Sequence, residues 1–299
     1  MKEIKTLLMP RLWSVRNGGL SREAVGGRIR FYLFGSIGLI FWVGMFVIFY
    51  RVLKYFKAAE GFGDILATKL LSMVIVTFFS LLIFSSIITA LSKLYLSRDL
   101  QLVHSMPVAV EDIFLARWFE STFDSAWMVA IFSLPVFLSY GIVYKAGILY
   151  YCTMVMTILP LCLISSAISA IIVMAVAVIL PAGRIRAVFV FFGIILFLLL
   201  IIAMRMIRPE QFVNPEGFST LVTYFKSLET PGSPLLPTTW IIDGIRSALA
   251  GYGGALKSVL FELALIWSCA LTCIFAAVWI AEAVYFPGFS KTQTTPGRL

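Results

Sequence analysis

Long apolar blocks alternate along the chain with short polar segments. Six such blocks span residues 31–50, 67–91, 125–144, 148–180, 187–206 and 258–285. A bilayer core about 30 Å thick is crossed by roughly 20 apolar residues in a helix. The blocks lack period-two alternation, and irregular backbone cannot face lipid because its polar groups would be unpaired. The pattern therefore predicts an all-α integral membrane protein with about six transmembrane helices.

Composition strengthens this prediction. Hydrophobic residues make up 61% of the chain and charged residues 13%, with a mean hydropathy of +0.98, whereas a soluble domain carries about 25% charged residues. The fourth block also contains Pro160, which is expected to kink its helix because proline lacks an N–H group.

Basic residues predict the orientation of the spans. Seven precede the first block: Lys2, Lys5, Arg11, Arg16, Arg22, Arg28 and Arg30. Arg184 and Arg186 lie between the fourth and fifth blocks. Because Lys and Arg concentrate in cytoplasmic flanks, both segments are expected inside. Six spans then place both termini in the cytoplasm of a bacterial plasma membrane. Basic residues at positions 51, 54 and 57 oppose this orientation.

Three regions follow from that topology. Residues 1–30 form a basic segment at the membrane surface, with Leu7, Leu8, Leu12 and Trp13 towards lipid. Residues 31–286 form the six-helix domain, with a cytoplasmic loop at 92–124 and an outer connection at 207–257. Residues 287–299 form a cytoplasmic tail or linker. The formal charge of +9 is explained by attraction to an anionic leaflet, so nucleic-acid binding is not predicted.

Motifs for catalysis or metal binding are scarce. His104 stands alone, and the Gly251–Ser258 segment has Leu256 where a phosphate loop requires glycine. The sequence therefore predicts no enzymatic activity and no cofactor. Cys269 and Cys273 share a helix face, but packing is favoured over metal binding because a third ligand is missing. The other cysteines, Cys152 and Cys162, also fall within predicted spans.

Two acidic residues and a patch of small residues interrupt the later spans. Glu262 and Glu282 lie near opposite ends of the last block, where both can reach headgroup water. Alternatively, Glu262 faces a polar cavity and handles substrate or protons. The fourth block contains a small-residue surface that is suited to close helix packing: Ser165, Ser166, Ala167, Ser169 and Ala170.

The loop between the second and third blocks has apolar residues at roughly helical spacing: Leu94, Leu96, Leu100, Val103 and Met106. This spacing predicts a short amphipathic helix, in which Ser97 caps the second part. Glu111 and Asp112 are expected in the first turn of the following helix. The alternative is a solvated loop whose apolar face rests on the membrane.

The loop ends in Leu-x-x-Ser-x-Pro at residues 102–107, and Ile-Phe-Leu-Ala-Arg follows at 113–117. This order of elements, from about residue 27 to 286, resembles the permease subunits of bacterial type 2 ATP-binding-cassette exporters. The resemblance implies that Tyr95–Pro107 is the coupling helix that contacts the ATPase. Candidate coupling residues are Arg98, Asp99, Leu100, Leu102, Val103, His104 and Pro107, with Leu100 and Val103 as the buried part of that contact.

The resemblance extends to the outer connection, where residues 233–240 and a helix at 241–250 are similar to short helices before the family's last span. Such permeases look about twice as long, so the chain is expected to be an N-terminal half or to pair with a second membrane half. It would form the translocation path, driven by a separate ATPase subunit. The alternatives are a non-transporting scaffold or assembly protein, or a secondary carrier that uses Glu262. The substrate stays open.

Overall fold

The structure is a computed structural model that describes residues 25–58, 63–97, 99–179, 236–250 and 255–293, together with residues 9, 13 and 198. No strand occurs in these residues. The helices are α1 (Val25–Ala58), α2 (Gly63–Leu91), α3 (Leu100–His104), α4 (Val110–Val143), α5 (Ile148–Ile179), α6 (Pro237–Ala250) and α7 (Ala255–Gln293), and a π-helical turn (Ser92–Leu96) follows α2.

Four helical segments are long and apolar enough to cross a membrane: Gly35–Ala58, Gly63–Leu96, Ile148–Ile179 and Leu256–Lys291. Helix α4 bends by 42° between Val110–Trp127 and Val129–Val143 and would add a fifth span. The predicted all-α class is confirmed. The predicted number of six spans stays a prediction, since the block at 187–206 lies outside the described residues.

Helix α5 is central to the bundle and packs against α2 and α7, whereas α1 packs mainly on α4. It remains a single helix through Pro160. The predicted small-residue patch of α5 is fully buried, in agreement with a packing role. Within this patch, Ser169 Oγ donates a hydrogen bond to the carbonyl of Ile83 in α2, at 3.0 Å. Small side chains allow helices to approach this closely in a membrane.

The contact between α1 and α4 is built around Pro135. Proline has no N–H group, so the carbonyl of Ile131, one turn earlier, loses its intrahelical partner. The indole Nε1 of Trp42 in α1 donates to that carbonyl at 3.1 Å. Ser139 Oγ lies 2.7 Å from the Pro135 carbonyl and 3.2 Å from that of Phe46. The indole bond satisfies a carbonyl that lipid could not, and the Ser139 hydroxyl adds a second contact between the two helices.

A tight turn joins α4 to α5. Lys145 adopts a φ of 51°, and the N–H groups of Lys145 and Ala146 donate to the carbonyls of Ile142 and Gly141. This is the Schellman arrangement, which satisfies the last carbonyls of a helix and reverses the chain within a few residues. It places Tyr144 at the end of the bundle where α1 ends and α2 begins.

Two helices extend beyond their predicted limits. Helix α1 continues past residue 50 to Ala58, so the basic residues that follow the first block lie in its last turns, where the helix dipole favours positive charge. Helix α7 continues to Gln293, so the predicted tail begins inside a helix, because Phe289 is buried against the loop between α2 and α4. At the N-terminus Trp13 is exposed, whereas residues 7, 8 and 12 lie outside the described residues.

Candidate functional site

The loop between α2 and α4, residues 92–109, lies at one end of the bundle, which we call the loop end. It consists of the π-helical turn, a short connection, α3 and an extended segment before α4. Leu94, Leu100 and Val103 are buried, but Leu96 and Met106 are 50% and 43% exposed. The prediction of a single apolar helix face is therefore wrong. The π-helical turn and the break after it rotate the later residues out of register.

The start of α3 also differs from the prediction. Asp99 occupies the N-cap position and makes no capping hydrogen bond with its side chain. Ser97, which was predicted to cap this helix, instead donates a hydrogen bond from its hydroxyl to the Asp99 carboxylate. Glu111 and Asp112 do lie in the first turn of α4, as predicted.

A network of ion pairs fastens the loop to α4. Arg117 of α4 contacts Asp99 and also Glu120, at 3.2 Å. Lys93 in the π-helical turn lies 3.3 Å from Asp124 and 3.8 Å from Glu120. The side chains of Arg117 and Glu120 are only 12% and 9% exposed. Two charges are therefore nearly removed from water, and each is stabilised there by its oppositely charged neighbours.

The network also affects the ionisation of Asp99. Partial burial acts to raise its pKa, but hydrogen bonds from Ser97 and Arg117 and the positive charge of Arg117 outweigh burial and lower the pKa below its usual value. Asp99 is therefore a carboxylate at neutral pH. The connection that precedes α3 is thereby held to α4 by charge-assisted hydrogen bonds.

An aromatic contact fastens the other side of α3 to α7. The His104 ring stacks on Phe289 with a centroid distance of 4.1 Å and an interplanar angle of 4°. Its Nδ1 lies 2.9 Å from the Leu100 carbonyl. Its Nε2 is buried and has no hydrogen-bond partner among the described residues. His104 therefore functions here as a packed aromatic ring between the loop and the last helix.

Tyr285 extends this aromatic contact one turn further along α7. Its hydroxyl donates to the carbonyl of Leu94 at 3.3 Å, and its ring lies 5.7 Å from those of Tyr95 and Phe114. Gly288 allows this approach, because a Cβ at that position would lie 3.0 Å from the Tyr95 hydroxyl. The π-helical turn, α4 and α7 thus meet in a single packed cluster.

A row of buried hydroxyls continues inward from the loop end. Three side-chain hydrogen bonds link α4 to its neighbours: Ser125 with Ser86 of α2 at 3.0 Å, Ser121 with Thr89 of α2 at 3.1 Å, and Thr122 with Ser166 of α5 at 2.6 Å. Paired hydroxyls in an apolar interior fix the register of the helices. A movement of α4 would therefore also displace α2 and α5.

Of the predicted coupling residues, Asp99 contacts α4 and His104 contacts α7, as described above, and the other five form three groups. Arg98 lies outside the described residues. Leu102, which is 63% exposed, and Pro107 point away from the bundle. Leu100 and Val103 were expected to be buried by an ATPase, but the chain's own helices bury them, so neither presents a surface to a partner. The coupling role of the loop stays a prediction.

Sequence reasoning missed four residues of this site. Arg117 and Glu120 are charges at i and i+3 in a chain with few charges, and this spacing was an available signal. Tyr285 and Phe289 gave no such signal, because aromatic residues near the end of a predicted span are ordinary interface residues.

The two acidic residues of α7 differ in their surroundings. Glu282 is exposed and lies in the interior of α7, which continues to Gln293, so its contact with headgroup water stays a prediction. Glu262 is partly buried beside α6, and a Cβ added at Gly244 would lie 3.4 Å from its Cβ. Its Oε2 has no hydrogen-bond partner among the described residues. Within the described part of the chain, no cluster of three metal-ligating side chains is found, and the four cysteines are free.

The fold and site define a helical membrane protein with an anchored loop at one end. The model of the family described as "Putative ATP-binding cassette" matches residues 22–297. The chain therefore belongs to this family. No curated protein and no solved structure matches it. The family description indicates an ATP-binding-cassette system and does not specify which subunit of that system the chain forms.

Proposed function

We propose that the chain is the membrane-spanning permease subunit of an ATP-binding-cassette exporter and that a separate partner subunit hydrolyses ATP. The family match and the apolar helices support an origin in such a system. The segment that superficially resembles a phosphate loop has Leu256 where glycine is needed, so this segment is not expected to bind ATP. The permease would pair with a second membrane half or a second copy of itself around a translocation path.

The observation that carries this proposal is the two-sided character of the loop. One side is packed into the bundle through Leu100 and Val103, whereas Leu96, Leu102 and Met106 on the other side are exposed at the end of the molecule. Leucine and methionine exposed together at a bundle end are typical of a protein-docking surface. An ATPase subunit would bind this surface.

The contacts of the loop suggest how force would pass into the bundle. A push on α3 would act on α4 through Asp99 and Arg117, and on α7 through His104 and Phe289. Packed elements of this kind shift as units between discrete arrangements. Closure of an ATPase dimer would thereby favour one arrangement of α4 and α7 over another and change access to the path.

We further propose that the loop end is cytoplasmic. The basic residues of segment 1–30 support this orientation. The loop end also contains the end of α7, while α6 lies at the other end of the bundle beside the start of α7. The 237–250 helix is therefore proposed to be extracytoplasmic, and both chain termini cytoplasmic, in a bacterial plasma membrane.

The test compares substitutions at two neighbouring leucines. Leu102→Asp adds a charge to the exposed side of the loop and should leave insertion and thermal stability unchanged, because Leu102 contributes little to the core. It should reduce co-purification of the ATPase by about tenfold or more, since a buried unpaired charge opposes docking. Lys145→Asp, exposed at the other end of the bundle, is the matched control and should not reduce co-purification.

Leu100→Asp should behave in the opposite way. Leu100 is fully buried in the chain's own core, so a charge there should cost several kcal/mol of folding stability and abolish the folded monomer. If Leu102→Asp retains the ATPase at the wild-type level, the loop is not the coupling element. If it retains the ATPase and the wild-type protein never stimulates ATP hydrolysis, a scaffold is the better description.

A further inference from the structure

The loop end contains several buried polar atoms that lack a hydrogen-bond partner. Among the described residues, five buried side-chain N or O atoms have no such partner. Three of them belong to the cluster where the loop, α4 and α7 meet: Tyr95 Oη, His104 Nε2 and Trp118 Nε1. A buried polar group without a partner is costly, and native structures keep few of them. Three in one cluster therefore call for a physical explanation.

Tyr95 and His104 are complementary in what they lack. The carbonyl of Leu100 can only accept a hydrogen bond, so His104 Nδ1, which lies 2.9 Å away, carries the ring hydrogen. In the neutral imidazole the other nitrogen, Nε2, is then an acceptor without a donor. The Tyr95 hydroxyl is a donor without an acceptor among the described residues. Each of these two atoms can supply what the other lacks.

Helix α7 brings these two side chains to the same place. The Tyr285 ring lies 5.7 Å from both the Tyr95 ring and the His104 ring. One turn later, a Cβ at Gly288 would lie 3.0 Å from the Tyr95 hydroxyl oxygen, and the adjacent Phe289 stacks on His104 at 4.1 Å. Residues that are three and four apart share one face of a helix. The Tyr95 hydroxyl and the His104 ring therefore lie against the same face of α7, within one turn of each other.

Helix α3 is built to move as a small unit. It has only five residues, and extended backbone flanks it on both sides. The π-helical turn before it, which is a common feature of functional sites, is fastened to α4 through Lys93. Asp99 holds only the first end of α3 to α4, whereas Leu102 is exposed to a partner. A partner that presses on Leu102 would therefore move His104 relative to Tyr95.

We propose that the loop end has a second arrangement, in which the Tyr95 hydroxyl donates a hydrogen bond to His104 Nε2, and that docking of the ATPase subunit favours it. Pairing the two atoms recovers the cost that each carries when unpaired, which brings the second arrangement closer in free energy to the first. A partner that binds one arrangement more tightly shifts the population towards it. This inference rests on the proposed function, because the ATPase subunit selects the arrangement.

The experiment uses His104 as a probe, because it is the only histidine in the chain. The full chain is produced with isotope-labelled histidine and a purification tag that contains no histidine. It is reconstituted in lipid, alone or with the unlabelled ATPase that co-purifies with it and a non-hydrolysable ATP analogue. Solid-state nitrogen NMR should show an unbonded Nε2 acceptor in the chain alone. In the complex the Nε2 signal should move upfield, as an acceptor nitrogen does when it receives a hydrogen bond.

Two substitutions that remove the same atom from this cluster sharpen the test. Tyr95→Phe should abolish the change in the Nε2 signal and weaken ATPase binding by about three- to tenfold, because the donor is lost. Tyr285→Phe is the matched control and should retain the signal change, since the Tyr285 hydroxyl donates to the Leu94 carbonyl. In the chain alone, Tyr95→Phe removes an unpaired hydroxyl and should raise or preserve the midpoint of thermal unfolding, whereas Tyr285→Phe should lower it by a few degrees.

Three results would overturn the proposal. The first is an Nε2 signal that is the same with and without the ATPase, and the second is a signal change that persists in Tyr95→Phe. The third is an equal loss of thermal stability in Tyr95→Phe and Tyr285→Phe, which would show that the Tyr95 hydroxyl is already bonded in the chain alone. Should Tyr95→Phe fail to fold, His104→Phe keeps the stacked ring without Nε2, and unchanged ATPase affinity in that variant would also overturn the proposal.

These outcomes are distinct from a failure of the proposed function. If the ATPase binds the wild-type chain but the His104 signal does not respond as expected, the proposed function stands and only the second arrangement is wrong. If the wild-type chain binds no ATPase, the proposed function is wrong and the second arrangement is wrong with it.

Discussion

The loop end of the bundle differs in its charged side chains from the opposite end. We call the opposite end the cavity end, because Lys57, Asp64, Lys69 and Arg246 line a cavity there. At the loop end, Arg117 and Lys93 are matched by three carboxylates, and aromatic rings fill the space beside them. At the cavity end, three basic side chains and one carboxylate line open space among the described residues.

This difference separates two uses of charge in a mostly apolar protein. The ion pairs of the loop end hold helices in one register, because breaking the nearly buried pair of Arg117 and Glu120 leaves an uncompensated charge. At the cavity end, a neutral acceptor takes that part, because Lys57 of α1 donates to the carbonyl of Val143 at the end of α4, at 2.7 Å. We infer that the ion pairs of the loop end suit it to transmit movement between helices.

The largest expected effect comes from breaking the loop-end network. Arg117→Met keeps the length and the apolar stem of the side chain but removes its charge. Glu120 would then lose its contact with Arg117, and unfolding should become easier by about 3 kcal/mol. Thermal unfolding of the purified protein measures this. Lys54→Met, a charge removal on an exposed surface, should change stability by less than about 0.5 kcal/mol. Equal shifts in both variants would show that the network does not stabilise the loop end.

An intermediate effect is expected between the two ends, where α1 meets α4. Trp42→Phe removes the indole N–H that donates a hydrogen bond to the Ile131 carbonyl. The change should lower the free energy of unfolding by about 1 kcal/mol. In a Pro135→Ala background, residue 135 regains its own N–H and can serve that carbonyl. The same Trp42→Phe change should then cost less. A double-mutant cycle checks this, and an equal cost in both backgrounds would mean that the indole bond does not compensate for the proline.

The smallest expected effect is a pH dependence at the loop end. The folded pKa of Asp99 is below its usual value, so its stabilising contribution is present above about pH 4 and is lost as pH falls through the lowered pKa. Because Asp99 is largely exposed, the contribution should be only a few tenths of a kcal/mol. Stability of the wild type and of Asp99→Asn, compared between pH 6 and pH 3, measures it. An identical slope in both would show that Asp99 is not stabilised by Arg117.

The loop between α2 and α4 contains both features that could be predicted from the sequence and features that could not. Its position, the acidic first turn of α4 and the breaks around it could be predicted from spacing and proline. The residues of the buried face could not be predicted, because a π-helical turn between Ser92 and Leu96 changes the helical register of the residues that follow. Leu100 and Val103 were predicted to be buried by an ATPase, whereas the chain's own helices bury them.

The sequence by itself determined that the chain is a helical membrane protein, since roughly 20 consecutive apolar residues have few other stable structures. The tertiary structure decided which side chains meet. Arg117 reaches Asp99 across a chain reversal, and His104 stacks on Phe289 from the far end of the sequence. The spacing of apolar residues indicates only that a side chain is removed from water. Lipid, the chain's own helices and a partner protein all satisfy that requirement, and only the packed structure distinguishes among them.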